Sequence, residues 1–157
     1  MQSKEPTIFM IAGELSGDQY GKQLIEVLKQ AQPKLHFEGV GGPNMRCLGF
    51  NDLIEMEKFE VMGFSEVLQA LPRLSLYSSR LTKHILKTSP KCVIFIDFPD
   101  FNMHVAKKLR AKGYKGTLIH FICPSVWAWR KGRGRMTRVM AVGVFDLLHA
   151  GHLHYLE

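Results

Sequence analysis

Short apolar runs that stop at glycine, aspartate or proline, with helix-spaced segments between them, constrain this chain more than any other feature. Residues 7–12 (TIFMIA) are rich in strand formers, and the run ends at Gly13. The spacing then changes near Asp18. Leu24, Ile25, Leu28 and Ala31 recur at three and four residues, which predicts a helix with Ser16 or Asp18 as candidate caps and Pro33 just past its end. Residues 37–40 predict a second strand, ended by Gly41, Gly42 and Pro43. Residues 53–62 have no clear period and read as a loop with room for a short strand. Residues 63–71 and 74–87 have helical spacing, with a break expected at Pro72. Residues 92–96 (CVIFI) predict a buried strand ended by Asp97 and Pro99. An amphipathic helix over 102–112 comes next, closed by Gly113, and then a strand over 117–122 ended by Cys123 and Pro124. After a basic loop, 138–144 predicts one more strand and 147–157 a helix. Strands alternating with helices require a parallel sheet with helices on both faces and right-handed crossovers, an α/β Rossmann-like fold. A length of 157 residues suits one such domain and is too short for two ordinary ones.

No apolar run approaches the ~18 residues needed to span a bilayer. Residues 1–6 are polar and lack the basic flank, apolar stretch and cleavage site of a signal peptide, so a cytoplasmic location is expected. The three cysteines, Cys47, Cys92 and Cys123, are odd in number and form no C-x-x-C pair; they read as buried reduced thiols, with neither a disulfide framework nor a zinc site. No metal and no other cofactor is expected. The net charge of +7 suits phosphorylated substrates, acidic lipid headgroups or nucleic acid, or is simply a solvated basic face. Arg130, Lys131, Arg133, Arg135 and Arg138 cluster without a recognisable nucleic-acid module, so nucleic acid is not an expected partner.

In open parallel sheets, ligands bind beyond the carboxyl ends of the strands, where strand order reverses. The unusual residues cluster at such ends: Gly13-Glu14-Leu15-Ser16-Gly17-Asp18, Gly41-Gly42-Pro43, Asp97-Phe98-Pro99-Asp100 and Cys123-Pro124-Ser125-Val126-Trp127. A Rossmann-like order makes the first strand and the strand at Cys92 neighbours, which brings Glu14 and Ser16 towards Asp97. The Gly13 loop has glycines for close backbone approach and a helix start that offers N–H groups to an anion. It lacks a phosphate-loop lysine and a G-x-G-x-x-G pattern, so a plain strand–helix turn is an equal alternative to phosphate or sugar binding. Asp97 is either a ligand or catalytic carboxylate or a cap for the helix near Asn102.

Five motifs occur in order: AGELSGD at 12–18, GVGGPNM at 39–45, VMGFSEVL at 61–68, IDFPDFN at 96–102 and CPSVWAWR at 123–130. Together they resemble the amino-terminal half of the lipid-A-disaccharide synthase family over residues 7–132. The resemblance implies the amino-terminal, acceptor-binding domain of a two-domain GT-B glycosyltransferase. It implies inverting transfer of a diacylated glucosamine from UDP to 2,3-diacylglucosamine 1-phosphate in bacterial lipid A biosynthesis, a step of lipopolysaccharide synthesis. By resemblance, Asp97 matches the candidate general base, and Glu14 and Ser16 match loop residues that orient acceptor or base. Gly13, Gly17, Asp18, Gly42, Asp100, Asn102, Ser125 and Trp127 are the implied substrate-binding positions, with Asp100 and Asn102 read first as shaping the loop. Trp127 and Trp129 either stack on sugar or acyl chain or pack a domain interface. Val61, Met62, Phe64, Leu68 and Leu71 with Arg73 read as an acyl-chain or membrane patch, apolar with a basic rim, or else as two ordinary amphipathic helices packed on the sheet. The expected partners are the acylated glucosamine phosphate, the UDP-sugar donor and the inner-membrane surface, with the chain peripheral to that membrane.

Two departures from the family pattern qualify this. The family's carboxy-terminal domain, which holds most of the donor site, has no counterpart in these residues, so the chain by itself is expected to be incomplete for transfer. From about Thr137 the chain instead resembles the opening strand and helix of cytidylyltransferase-like nucleotidyltransferases, in Gly143-Val144-Phe145-Asp146 and the H-x-G-H of His149 and His152. That resemblance implies nucleotide-phosphate contacts by the two histidines; the alternative is a strand and helix completing the sheet of one domain over 1–157. The combination reads as a fragment or chimera. A non-catalytic membrane-binding module is the other alternative.

Overall fold

Consecutive buried residues along a strand mean that both faces of the sheet are covered, and the first and fourth strands of this protein show that pattern. The computed structural model describes residues 6–60 and 67–121. In chain order the elements are β1 (Thr7–Ala12), α1 (Leu15–Ala31), β2 (His36–Gly41), α2 (Pro43–Arg46), β3 (Asn51–Glu55), α3 (Glu57–Glu60), α4 (Val67–Thr88), β4 (Cys92–Ile96), α5 (Pro99–Ala111) and β5 (Thr117–Phe121). The strands form one sheet in the order β3-β2-β1-β4-β5, and every neighbouring pair is parallel. The expected α/β Rossmann-like arrangement is therefore present.

Side-chain alternation sorts the apolar residues into two cores. Phe9 and Ile11 of β1 and Val93 and Phe95 of β4 join Leu81 and Ile85 of α4 and Phe101, Val105 and Leu109 of α5 on one face. Met10 and Ala12, with Ile94 and Ile96, face the other way and pack with Ile25 of α1 and with Met45 and Phe50. The chain leaves β1 towards β2 on one side and leaves β4 towards β5 on the other. Right-handed crossovers in opposite directions put α1 and α5 on opposite faces. The strand order thus reverses between β1 and β4, and the crevice lies at their carboxyl ends.

Several element boundaries differ from the sequence expectation. Helix α1 begins at Leu15 with Glu14 at the N-cap, and neither Ser16 nor Asp18 caps it, because both side chains bond to other segments. The short strand allowed within 53–62 is part of β3, which starts earlier, at Asn51, joins the sheet beside β2 and leads into the single turn of α3. Pro72 does not break the helix; it lies inside the continuous α4. Helix α5 starts at Pro99, ahead of Asn102, with proline at its first position, where the missing N–H costs nothing. The predicted strand over 138–144 and helix over 147–157 lie outside the described residues.

Candidate functional site

The β1–α1 turn and the β4–α5 turn meet at the reversal point. Ala12 and Ile96 are register partners at the ends of the two strands, so the residues just beyond them emerge side by side. Ser16, in the first turn of α1, donates its hydroxyl proton to Asp97 Oδ2 at 2.9 Å. The two residues are 81 positions apart in the chain. The other carboxylate oxygen, Oδ1, accepts the Phe98 backbone N–H at 2.9 Å. Each oxygen of a carboxylate has two acceptor positions, so among the described residues Asp97 retains capacity to accept a proton from a bound hydroxyl. The residue is half-buried, which leaves it reachable from the crevice.

Glu14 is exposed at the same corner. Partial burial, and then the negative charge of Asp97, raise its carboxyl above the ordinary glutamate value. Two carboxylates in electrostatic contact beside the N-termini of α1 and α5 make a corner where negative charge is both concentrated and locally favoured by helix dipoles.

The Asp97 turn has an unusual backbone. Asp97 (φ 52°) and Phe98 (φ 49°) are consecutive non-glycine residues in the left-handed region. Each costs on the order of 1–2 kcal/mol relative to the right-handed well. The turn is held from three sides: the Asn102 side-chain amide donates to the Asp97 carbonyl, the Asp97 N–H reaches Phe121 O at 3.4 Å, and the Phe98 ring stacks on Phe101 with Phe59 edge-on. Gly13 completes the fit. A Cβ there would lie 2.5 Å from Phe98 Cδ1, so only glycine lets the first loop slide under the second.

The structure therefore brings together Gly13, Glu14, Ser16 and Asp97, with exposed Asp100 on the first turn of α5. Four other positions expected to bind substrate face inward. Asp18 is fully buried, and its Oδ1 accepts the N–H groups of Gly42 and Met45 at 2.9 and 3.0 Å while Oδ2 accepts that of Asn44 at 2.9 Å. It caps α2 from a distance. Gly42 serves the same joint, since a Cβ there would meet the Asp18 carboxylate at 2.6 Å. Gly17 is buried against Ala12 and the Ile96 carbonyl, where it allows α1 to sit close to the sheet. Asn102 is wholly buried.

Ser125, Trp127, His149 and His152 lie outside the described residues, as do Val61, Met62 and Phe64 and the side chains of Leu68 and Leu71. Arg73 is exposed on α4. Phe98, which locks the two loops, is missed by a reading of motifs. Its place before Pro99 is the available signal, because a residue preceding proline is kept out of the right-handed helical region. A separate cleft of about 520 Å³ at the β3 edge is lined by Arg46, Asp52, Glu57 and Lys58 among others. It is remote from these loops in the sheet order, and most of its charges pair with one another: Arg46 with both Asp52 and Glu57, and Lys58 with Glu55.

Comparison with known proteins converges on one family. The sequence model of lipid-A-disaccharide synthetase matches residues 8–150. The lipid-A-disaccharide synthase of Chlamydia trachomatis serovar D is 52% identical over 125 residues, which are 80% of this chain and 21% of that protein. That of Chlamydia pneumoniae is 50% identical over 128 residues, 82% of this chain and 21% of that protein. That of Haemophilus influenzae strain PittEE is 44% identical over 133 residues, 85% of this chain and 34% of that protein. The chain thus spans about a fifth to a third of the length of these relatives. The family match runs through residue 150 and takes in residues 143–146 and His149, where the sequence reading sets the tail apart from about Thr137.

Proposed function

Because this chain belongs to the lipid-A-disaccharide synthetase family, we propose that it carries the acceptor-binding and proton-abstracting part of a glycosyl transfer. In this reading the acceptor is 2,3-diacylglucosamine 1-phosphate, and the donor is the UDP-linked diacylglucosamine. The Asp97 carboxylate takes the proton of the acceptor's 6-hydroxyl as that oxygen attacks the donor's anomeric carbon from the face opposite UDP, which inverts the anomeric configuration. Ser16 orients the carboxylate, and Glu14 stands close enough to tune its charge. General-base assistance of this kind contributes about 10²–10⁴-fold to a rate. The observation that carries the reading is the 2.9 Å bond from Ser16 to Asp97 Oδ2, which sets a half-buried carboxylate at the strand-order reversal with acceptor capacity in hand.

We further propose that the protein works at the surface of the inner membrane. Arg73, Arg80, Lys83 and Lys87 are exposed on α4 at helical spacing, and Leu76 on the same helix is 66% exposed. A basic stripe with an apolar residue in it suits anionic headgroups. Among the described residues no helix is long and apolar enough to cross a membrane.

The reading is tested by adding 2,3-diacylglucosamine 1-phosphate and tracking the melting temperature, which should rise with lipid concentration. No rise at saturating lipid would remove acceptor binding. In a transfer assay of the protein carrying this chain, Asp97→Ala should abolish product; unchanged turnover would remove the assigned base. Vesicle binding should require anionic lipid and weaken as salt is raised.

A further inference from the structure

We propose that Asn102 is the positioning residue of this site: its buried side-chain amide clamps the Asp97 peptide in the left-handed turn and so aims the Asp97 carboxylate at Ser16. The inference rests on the reading of Asp97 as proton acceptor and adds the device that holds it.

Asp97 and Phe98 are both left-handed, with φ of 52° and 49°. Strained pairs of this kind persist only where the surroundings over-determine them. The only side chain among the described residues that bonds the Asp97 carbonyl is Asn102, through Nδ2, from the first full turn of α5. The other backbone tie, Asp97 N–H to Phe121 O, is long at 3.4 Å. Asn102 is 0% exposed, and its Oδ1 has no hydrogen-bond partner among the described residues. A buried acceptor without a partner is unfavourable and calls for an explanation. Turning the amide over would not relieve it, since Oδ1 would then face the Asp97 carbonyl, acceptor against acceptor. Among the described residues, one of its polar atoms is unmet while the other holds the turn. Without that bond Asp97 is free to relax towards ordinary backbone angles, and its carboxylate swings away from Ser16. A misplacement of about 1 Å at a reacting group costs on the order of 10²-fold in rate.

The test compares the wild-type protein with Asn102→Leu, which has the same branched outline without a donor, and Asn102→Asp, which places an acceptor where the donor was. The readouts are turnover, KM, melting temperature and the carbon-13 resonance of the Asp97 carboxyl. In Asn102→Leu, kcat should fall about 10- to 100-fold with KM within about two-fold, and the Asp97 resonance should move. In Asn102→Asp, turnover should recover as pH falls from 8 to about 5.5, because the protonated carboxyl regains a donor to the Asp97 carbonyl. Wild-type turnover should show no such rise over the same range. Glu14 and Asp100, the other carboxyls at this corner, are present in both proteins and cancel in the comparison. A folded Asn102→Leu protein with wild-type kcat and an unmoved Asp97 resonance overturns the clamp. Should that variant not fold, an Asn102→Asp pH profile parallel to wild type overturns it instead. An active Asp97→Asn protein would remove the proposed base while a shifted Asp97 resonance in Asn102→Leu still upheld the clamp, so the two failures are distinguishable.

Discussion

Two aspartates sit at neighbouring corners of the same sheet edge and do opposite work. Asp18 is fully buried, and its two oxygens are occupied by three backbone N–H groups that join α1 to the start of α2. Asp97 is half-buried, accepts one hydroxyl and one backbone N–H, and faces the crevice where strand order reverses. On the proposed reading of Asp97 as a base, what separates it from a fastening carboxylate is the acceptor capacity left after the backbone has been served.

Substitutions at the two corners should therefore separate rate from stability. The largest effect is expected from Asp97→Asn: transfer falls by about 10²–10⁴-fold while the melting temperature stays within a few degrees, checked by product formation and thermal denaturation. A large loss of stability in that variant would make Asp97 a fastener like Asp18 and erase the contrast. Next is Asp18→Ala, which strands three backbone donors and should cost about 3–5 kcal/mol, read as a drop of roughly 10 °C in melting temperature. Wild-type stability there would mean that water replaces the carboxylate.

Ser16→Ala sharpens the comparison from the other side. It removes one donor from an exposed position, so turnover should fall about ten-fold with stability changed by less than ~1 kcal/mol. The smallest effect belongs to Glu14→Gln. The folded state raises the Glu14 carboxyl above 4.5, so it holds that proton more tightly than the unfolded chain does. Stability is thus lost as pH rises from the unfolded value through the folded one, and the ionised side chain is mildly unfavourable above that window. Replacement by glutamine should stabilise the protein at pH 7 by less than about 1 kcal/mol, given the exposure of the group, with the gain fading below about pH 4.5. Denaturant melts at the two pH values would check it.

The parallel sheet was legible because its signal is local: TIFMIA and CVIFI are apolar without interruption, as a strand buried on both faces must be. The meeting of Ser16 with Asp97 was also legible, but only through the topological rule that places ligands where strand order reverses. The roles of Asp18 and Gly17 were not. A carboxylate and a glycine in a loop after a strand look alike whether they face ligand or protein, and the partners of Asp18 lie 24 to 27 residues away. Asn102 was expected to shape its loop, but the clamp itself escaped for a related reason. Its donor is aimed at a backbone carbonyl, which no pattern of side-chain types reveals. Pro72 misled because proline ends a helix only where its lost bond and ring clash outweigh the packing of the turns beyond it, and α4 continues past Pro72 to bury Leu81 and Ile85.

The bond between Ser16 and Asp97 has a consequence for how the chain matures. Its ends are separated by 81 residues, so it forms only after β4 has docked beside β1, one of the costlier loop closures in the sheet. As the polypeptide leaves the ribosome, β1, α1, β2 and β3 can assemble first, with the serine hydroxyl facing water. The corner where the two turns meet is then completed late and all at once, and in an immature or partly opened molecule the Asp97 carboxylate lacks the serine that fixes its direction.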